Sequence, residues 1–147
     1  MKKMTAFVLS AAILAMAGCG NQQKENEKVI KLYAPAEVAY GTAVEIKGTF
    51  IYKQYKQAGA PGVDPALMQR AYYFAVIPDT PFNAVPSKDG AGQPQYNITI
   101  MQVEDNHSVN MMQFKDKKVR IKGIIHEGLA RVNYTRVVIN PSDITAL

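Results

Sequence analysis

The chain has 147 residues, of which 48% are hydrophobic and 20% charged, and this balance suits one compact domain with a real core. A large multidomain enzyme and a disordered chain are both excluded, because the first needs more residues and the second fewer apolar ones. The formal net charge is +5 and falls to +3 without Lys2 and Lys3. Such a mild, scattered charge does not favour nucleic-acid binding, which concentrates Lys and Arg on one face.

The first twenty residues carry the most informative pattern. Lys2 and Lys3 precede an uninterrupted apolar run of 13 residues, Thr5–Ala17. A bilayer-spanning helix needs about 20 residues, so the run indicates a signal-peptide core rather than a permanent membrane span. We expect residues 1–18 to be removed from the mature protein.

The apolar run ends in Met16-Ala17-Gly18-Cys19, which resembles the lipobox of bacterial lipoproteins. The resemblance implies cleavage between Gly18 and Cys19 and acylation of the Cys19 thiol, with Met16 standing where leucine is usual. Two or more acyl chains anchor a protein stably, since each buried methylene contributes about 0.8 kcal/mol. Cys19 is the only cysteine of the sequence, so no intramolecular disulfide supports the fold.

The residues after Cys19 indicate where and how the domain is held. Gly20 stands where aspartate would be the usual inner-membrane retention signal in enterobacteria, which favours an outer-membrane lipoprotein facing the periplasm or the cell surface. The stretch from Cys19 to Lys31 is polar and of mixed charge, and this composition predicts a flexible tether. The folded domain is then expected to span residues 32–147.

Alternating apolar and polar residues, and in the second strand a continuous aromatic and β-branched run, predict five strands in this domain. They are Val44–Lys53, Ala71–Ile77, Tyr96–Met101, Lys118–His126 and Thr135–Asn140. Gly48 and Gly123 lie inside the first and fourth strands, where a glycine often marks a bulge or a bend at a barrel corner. Pro141 is expected to end the fifth strand.

One short helix is predicted between the third and fourth strands. Asp105 or Asn106 can cap it by accepting a first-turn N–H, and Val109, Met112 and Phe114 could then face the core. Five strands, two with a central glycine, and a helix after the third are the layout of an OB-fold. The predicted fold class is therefore all-β with one short helix, a five-stranded OB-fold-like Greek-key barrel.

Two segments also resemble known strands. Val44–Phe50 and Asp116–Gly128 are similar to the first and fourth strands of bacterial OB-fold envelope proteins. With His126 and the pair Tyr134-Thr135, residues 35–144 resemble an uncharacterised bacterial envelope domain family that has a histidine-containing hairpin after that strand. Members often carry several histidines there, whereas this hairpin has one. The resemblance implies a fold and an envelope location but no activity.

Side chains suited to catalysis are few. The pair His126-Glu127, with His107, Glu104 and Asp105 as distant partners, suggests an alternative interpretation as a small hydrolase or metal-dependent enzyme. Zinc needs three or four converging ligands, and the sequence contains neither His-x-x-x-His nor Cys-x-x-Cys spacing. No serine has the context of a nucleophile elbow. We therefore expect no catalytic residue, no metal and no cofactor.

Aromatic residues indicate a binding site more strongly than the polar residues indicate a catalytic one. Tyr72 and Phe74 share one parity of the second strand and Tyr73 takes the other, so at least one ring is expected to point outward. Exposed rings on OB-fold strands stack bases at roughly 1–3 kcal/mol each, and in an envelope protein they can accept a sugar ring or an apolar loop. The alternative is that the rings fill the barrel and its mouth. The candidate ligand-binding residues are Tyr72, Tyr73, Tyr52 and His126.

Two long loops, Gln54–Gln69 and Asp79–Gln95, are further candidates, because loops above the usual length are often functional. These observations together predict a non-enzymatic, lipid-anchored envelope module that binds a protein or glycan partner through its strand faces and loops. Nucleic acid is not an expected partner, since an envelope location argues against it.

Overall fold

A computed structural model describes residues 28–56, 62, 70–129 and 133–147. Within these residues the regular structure is nine strands and one short 3-10 helix, Met111–Phe114. The strands are β1 (Ile30–Lys31), β2 (Glu37–Ala39), β3 (Ala43–Lys56), β4 (Arg70–Pro78), β5 (Phe82–Val85), β6 (Gln95–Ile98), β7 (Met101–Val103), β8 (Lys118–Glu127) and β9 (Val137–Ala146). The predicted signal segment, with Gly18 and Cys19, lies outside the described residues, as does most of the predicted loop 54–69.

Five of the strands close into a barrel in the order β3-β4-β7-β9-β8, with β8 pairing back onto β3. Neighbouring strands are antiparallel except β7 and β9, which are parallel. Numbered along the chain, the barrel strands follow the order 1-2-3-5-4, which is a Greek-key arrangement. The predicted fold class, a nearly all-β, five-stranded OB-fold-like barrel, is confirmed.

Alternate side chains of the long strands fill the barrel, as the period-2 pattern predicts. Residues with no exposed surface are Val44, Ile46 and Phe50 on β3, and Val119, Ile121 and Ile125 on β8. The Phe50 ring lies 5.7 Å from that of Phe74 and 5.8 Å from that of Phe114, centroid to centroid. Phe114 belongs to the 3-10 helix, which therefore closes this end of the core.

Both strand glycines lie where another backbone approaches closely. A Cβ at Gly48 would meet the Ile77 carbonyl oxygen, and one at Gly123 would meet the carbonyl oxygen of Asn140. The register of β8 and β9 shifts between Lys122 and Gly123, which is the irregularity that a mid-strand glycine predicts. Only a residue without a side chain fits at either position.

Two strand predictions differ from the structure. The predicted strand Tyr96–Met101 is divided, because β6 pairs with β5 outside the barrel and only β7 forms the third barrel strand. Asn97 adopts φ +53°, so the backbone leaves the extended conformation within this stretch. Pro141 does not end the last strand, since β9 continues to Ala146. Pro141 faces Gly123 at the register shift, where a missing N–H is tolerated.

The helix is shorter and starts later than predicted. Its cap is Asn110, whose Oδ1 accepts the Met112 N–H at 3.1 Å, rather than Asp105 or Asn106. Asp105 Oδ1 instead accepts the N–H of His107 at 2.9 Å, because a short side chain in a turn bonds the backbone two residues on. Of the three residues expected to face the core, Phe114 is buried, whereas Met112 and Val109 are exposed.

A second, three-stranded sheet lies outside the barrel. β2 pairs with β5 in parallel and β5 pairs with β6, so the predicted loop Asp79–Gln95 contains a strand. β1 pairs in parallel with the start of β3, which places Ile30 and Lys31, the last residues of the predicted tether, in regular structure. No helix in the described part of the chain is long and apolar enough to cross a bilayer.

Candidate functional site

One strand pair extends beyond the closed wall of the barrel. β8 pairs with β3 only over Ala43–Thr49, whereas β4 pairs with β3 as far as Lys56. β7 covers β4 only over Phe74–Val76. Phe50 still exchanges backbone hydrogen bonds with Asp116 and Lys117, and beyond it residues 51–56 of β3 and 70–73 of β4 form an overhang. An open groove of about 670 Å³ lies between this overhang and residues 105–112.

The floor of this groove consists of aromatic rings on the overhang and at its base. Tyr52 and Phe74 face each other across the strands, and the Tyr52 ring centroid lies 5.6 Å from that of Phe74 and 5.4 Å from that of Tyr72. Phe74 is 6% exposed, Tyr52 is half-buried and Tyr72 is 57% exposed. The rings thus continue the core-facing side of the sheet outward, from a packed interior to solvent.

The opposite wall is a turn that its own side chains hold in place. Its groove-lining residues are Asp105, His107, Ser108, Val109, Asn110, Met111 and Met112. Asp105 Oδ1 and Asn106 Oδ1 accept the N–H groups of His107 and Ser108 at 2.9 and 3.0 Å. His107 adopts φ +58°, and 88% of its side chain is exposed. The polar rim therefore has a fixed backbone and free side-chain surface.

Tyr73 lies on the other side of the sheet from the groove floor. Its ring stacks on Tyr134 with centroids 4.8 Å apart, and burial raises the pKa of its hydroxyl. A smaller cavity of about 260 Å³ lies beside it, lined also by Gln102 and by Tyr72 and His107 of the main groove. This placement agrees with the prediction that at least one of these rings points outward from the barrel, although Tyr72, on the inner face, is the more exposed ring.

His126 and Glu127 serve separate contacts. His126 Nε2 lies 3.1 Å from Glu104 Oε1, while Glu127 Oε1 accepts the N–H of Gln93 at 3.0 Å. Consecutive strand residues point to opposite faces, which explains the separation. Of the predicted distant partners, Glu104 reaches His126, whereas His107 pairs with Asp105 at 3.5 Å. Within the described ranges no three His, Cys, Asp or Glu residues cluster as a metal site would require.

One carboxylate is buried away from the groove. Glu45, 6% exposed, lies on the outer face of β3, where it accepts the Tyr33 hydroxyl and pairs with Lys122 at 3.5 Å. The hydrogen bond from Tyr33 holds the pKa of Glu45 below its usual value, and Lys122 adds to that effect against the opposing influence of burial. The Leu32 N–H also donates to the Glu45 carbonyl at 2.9 Å. These contacts fasten residues 32 and 33 to the barrel.

The structure thus brings together two of the four predicted ligand-binding residues, Tyr52 and Tyr72, and places Tyr73 and His126 elsewhere. The polar wall was not predicted as part of the site. Its sequence signal was present, because Asp105-Asn106-His107-Ser108 is a run of turn-forming residues beside an aromatic strand. A helix was expected there instead.

Comparison with known proteins adds no function to this geometry. No protein-family model, curated protein or solved structure matches the chain. Its function is therefore inferred from the groove and from the amino-terminal sequence pattern.

Proposed function

We propose that this chain is a non-enzymatic binding module, held at a bacterial outer membrane by lipidated Cys19, that binds a protein or glycan partner in the aromatic groove. The observation that carries the proposal is Tyr72, an aromatic residue that is 57% exposed on the face of the sheet that is otherwise packed. A concave surface with an aromatic floor and a few polar groups on its rim is typical of a ligand site.

The polar groups of the groove favour binding over catalysis. Ser108 Oγ donates to Asn106 Oδ1 at 2.5 Å, and His107 pairs with Asp105. A nucleophile would need a base within about 2.6–3.2 Å of its own hydroxyl, and Ser108 has its contact with an amide instead. These side chains are suited to orienting a ligand by hydrogen bonds.

The position of the groove suits a membrane-anchored module. β1 joins the barrel beside Val44, and Tyr52 lies eight residues further along the same strand. At about 3.3 Å per residue the two points are separated by at most about 26 Å. A chain tethered through its amino terminus would therefore carry the groove on the far side from the attachment point, where a partner has access.

The anchor is tested by labelling the full chain in a bacterial host with radioactive palmitate, beside the variant Cys19→Ala. We expect label and membrane recovery for the wild type, and neither label nor processing at Gly18-Cys19 for the variant. Recovery of unlabelled wild type from the cytosol with Met1 intact would contradict the proposed anchoring.

The groove is tested by placing a photoreactive amino acid at position 72 of the full chain and irradiating intact cells. Tyr96 provides the matched control, because it is 58% exposed and lies on β6 in the separate sheet. We expect an adduct from position 72 and little from position 96. Equal yields, or none from position 72, would exclude the groove as the binding site.

A further inference from the structure

We propose that the ligand of the aromatic groove is a neutral glycan chain, with one sugar ring seated on Tyr72. This inference rests on the binding function proposed above and names its ligand class. A pyranose ring presents an apolar face of C–H groups and a periphery of hydroxyls. It therefore requires an exposed aromatic surface with hydrogen-bonding groups beside it.

The floor meets the first requirement. Tyr72 is inclined by 35° to the Tyr52 ring and by 74° to the Phe74 ring, and both neighbours are more buried. They support Tyr72 from below while its own surface stays open to solvent. Aromatic surface held in this way costs little side-chain entropy when a ligand covers it.

The charge of the groove argues for a neutral ligand. Its described lining contains one carboxylate, Asp105, and neither lysine nor arginine. Phosphate-bearing ligands are bound mainly by cationic side chains, so nucleic acids and phosphorylated lipids lack their usual contacts here. Hydroxyl groups do not need such a countercharge.

The rim meets the second requirement. Asn110 uses Oδ1 to cap the 3-10 helix, and its amide nitrogen carries two further donors. Ser108 donates to Asn106, and its hydroxyl oxygen still has acceptor capacity. His107, with most of its side chain exposed, adds a ring nitrogen. Donors and acceptors thus alternate along one wall, as the hydroxyls of a sugar require.

The apolar residues of the rim specify the kind of sugar. Val109 and Met112 are 43% and 45% exposed and line the same groove. The methyl of an N-acetyl group can cover this surface, whereas a plain hydroxyl cannot. The groove also adjoins the smaller cavity that shares Tyr72 and His107, so more than one sugar has room. We therefore expect an N-acetylated oligosaccharide to bind better than an unacetylated one.

The test is calorimetric titration of the full chain, kept in a detergent without a sugar headgroup, with chitotetraose and with cellotetraose. We expect chitotetraose to bind, and more tightly than cellotetraose. Tyr72→Ala is expected to weaken binding about tenfold or more, because it removes the stacking surface. Tyr72→Phe, which keeps the ring, and Tyr96→Ala, which removes an equally exposed ring elsewhere, are expected to stay within about twofold of wild type.

Absence of binding to both sugars, or equal binding by Tyr72→Ala, would overturn the glycan assignment. A protein adduct at position 72 in cells, together with that result, would leave the binding function in place with a protein as ligand. Failure of both experiments would remove the binding function as well. Tighter binding of tetrapolyphosphate than of chitotetraose would also overturn the assignment, because it would show that the groove prefers an anion.

Discussion

The two halves of strand β3 share one hydrophobic pattern and have different surroundings. In the enclosed half, residues 43–50, which is bonded to β8 and to the two residues before it, the inward side chains Val44, Ile46 and Phe50 have no exposed surface. In the half that extends past β8, Tyr52 is half-buried, and its neighbour Tyr72 on β4 is mostly exposed. The position where these backbone bonds to β3 end therefore decides whether an inward side chain is core or ligand surface.

The residue types follow this division. The enclosed half directs only apolar side chains inward, which pack densely and have no polar atoms to satisfy. The overhang carries tyrosines, which combine a large apolar ring with a hydroxyl that remains hydrated. Tyr52, for example, accepts a hydrogen bond from Gln54 at 3.1 Å. This contrast supports a role for the overhang as a surface rather than an incomplete core.

The largest expected effect is the difference in stability lost when a ring is removed from the enclosed half of β3 and when one is removed from the overhang. Phe50→Ala removes a fully buried ring and is expected to lower the free energy of unfolding by about 3–5 kcal/mol. Tyr72→Ala removes a mostly exposed ring and is expected to cost about 1 kcal/mol or less. Urea unfolding of both variants measures the difference. Equal losses would show that Tyr72 is part of the core.

A smaller loss is expected where the wall of the barrel bends. Gly123→Ala places a methyl group against the Asn140 carbonyl and is expected to cost about 1–3 kcal/mol through backbone displacement. Its neighbour Ile124 is 41% exposed, so Ile124→Ala is the matched control with a smaller loss. The same unfolding experiment compares them, and a neutral Gly123→Ala would show that β8 and β9 are not so close there.

The pH dependence of stability tests the hydrogen bond between Tyr33 and Glu45 on the enclosed half of β3. The Tyr33 hydrogen bond lowers the pKa of Glu45 in the folded state, so the carboxylate contributes stability above its unfolded pKa of about 4.3. That contribution is lost as the pH falls through the lower folded value. We expect Glu45→Gln to flatten the decline in unfolding free energy between about pH 5 and 3. Glu37 is exposed, so Glu37→Gln is the control. Identical profiles for the wild type and both variants would show that the hydrogen bond between Tyr33 and Glu45 does not contribute to stability.

The smallest change in stability is expected for a substitution outside both halves of β3. The ion pair of His126 with Glu104 joins side chains that are 40% and 34% exposed, so His126→Ala is expected to change stability by about 1 kcal/mol or less. The variant is also expected to leave the adduct at position 72 unchanged. Loss of a turnover detected in the wild type, with folding intact, would instead support the alternative interpretation as an enzyme centred on His126 and Glu127.

The sequence predicted what depends on local periodicity. The inward residues of β3 and β8 follow from strict alternation, and the register shift at Gly123 follows from a glycine in mid-strand. Alternation does not reveal which sheet a strand joins, so Ile98 and Met101, both buried, were assigned to one strand although they belong to different sheets. Pro141 by itself predicts a strand end, because the glycine that accommodates it, Gly123, comes from another strand.

The sequence predicts only part of the groove, because local patterns do not reveal long-range pairing. The aromatic residues of the floor stand out as a cluster. Their exposure depends on where β8 stops pairing with β3 and where β7 stops pairing with β4. These end points are set by contacts between residues far apart in the sequence. The wall at residues 105–112 depends on side-chain bonds within its turn, which compete with the helix that the same residues could form.

The central claim is that Tyr72 is covered by a ligand where the protein works, and nitration of tyrosines by tetranitromethane tests it most directly. Tyr72 and Tyr96 are equally exposed in the isolated chain, so we expect mass spectrometry to find similar nitration of both after purification. In intact cell envelopes we expect Tyr72 to be protected and Tyr96 to react as before. Equal nitration of the two residues in envelopes would contradict the claim.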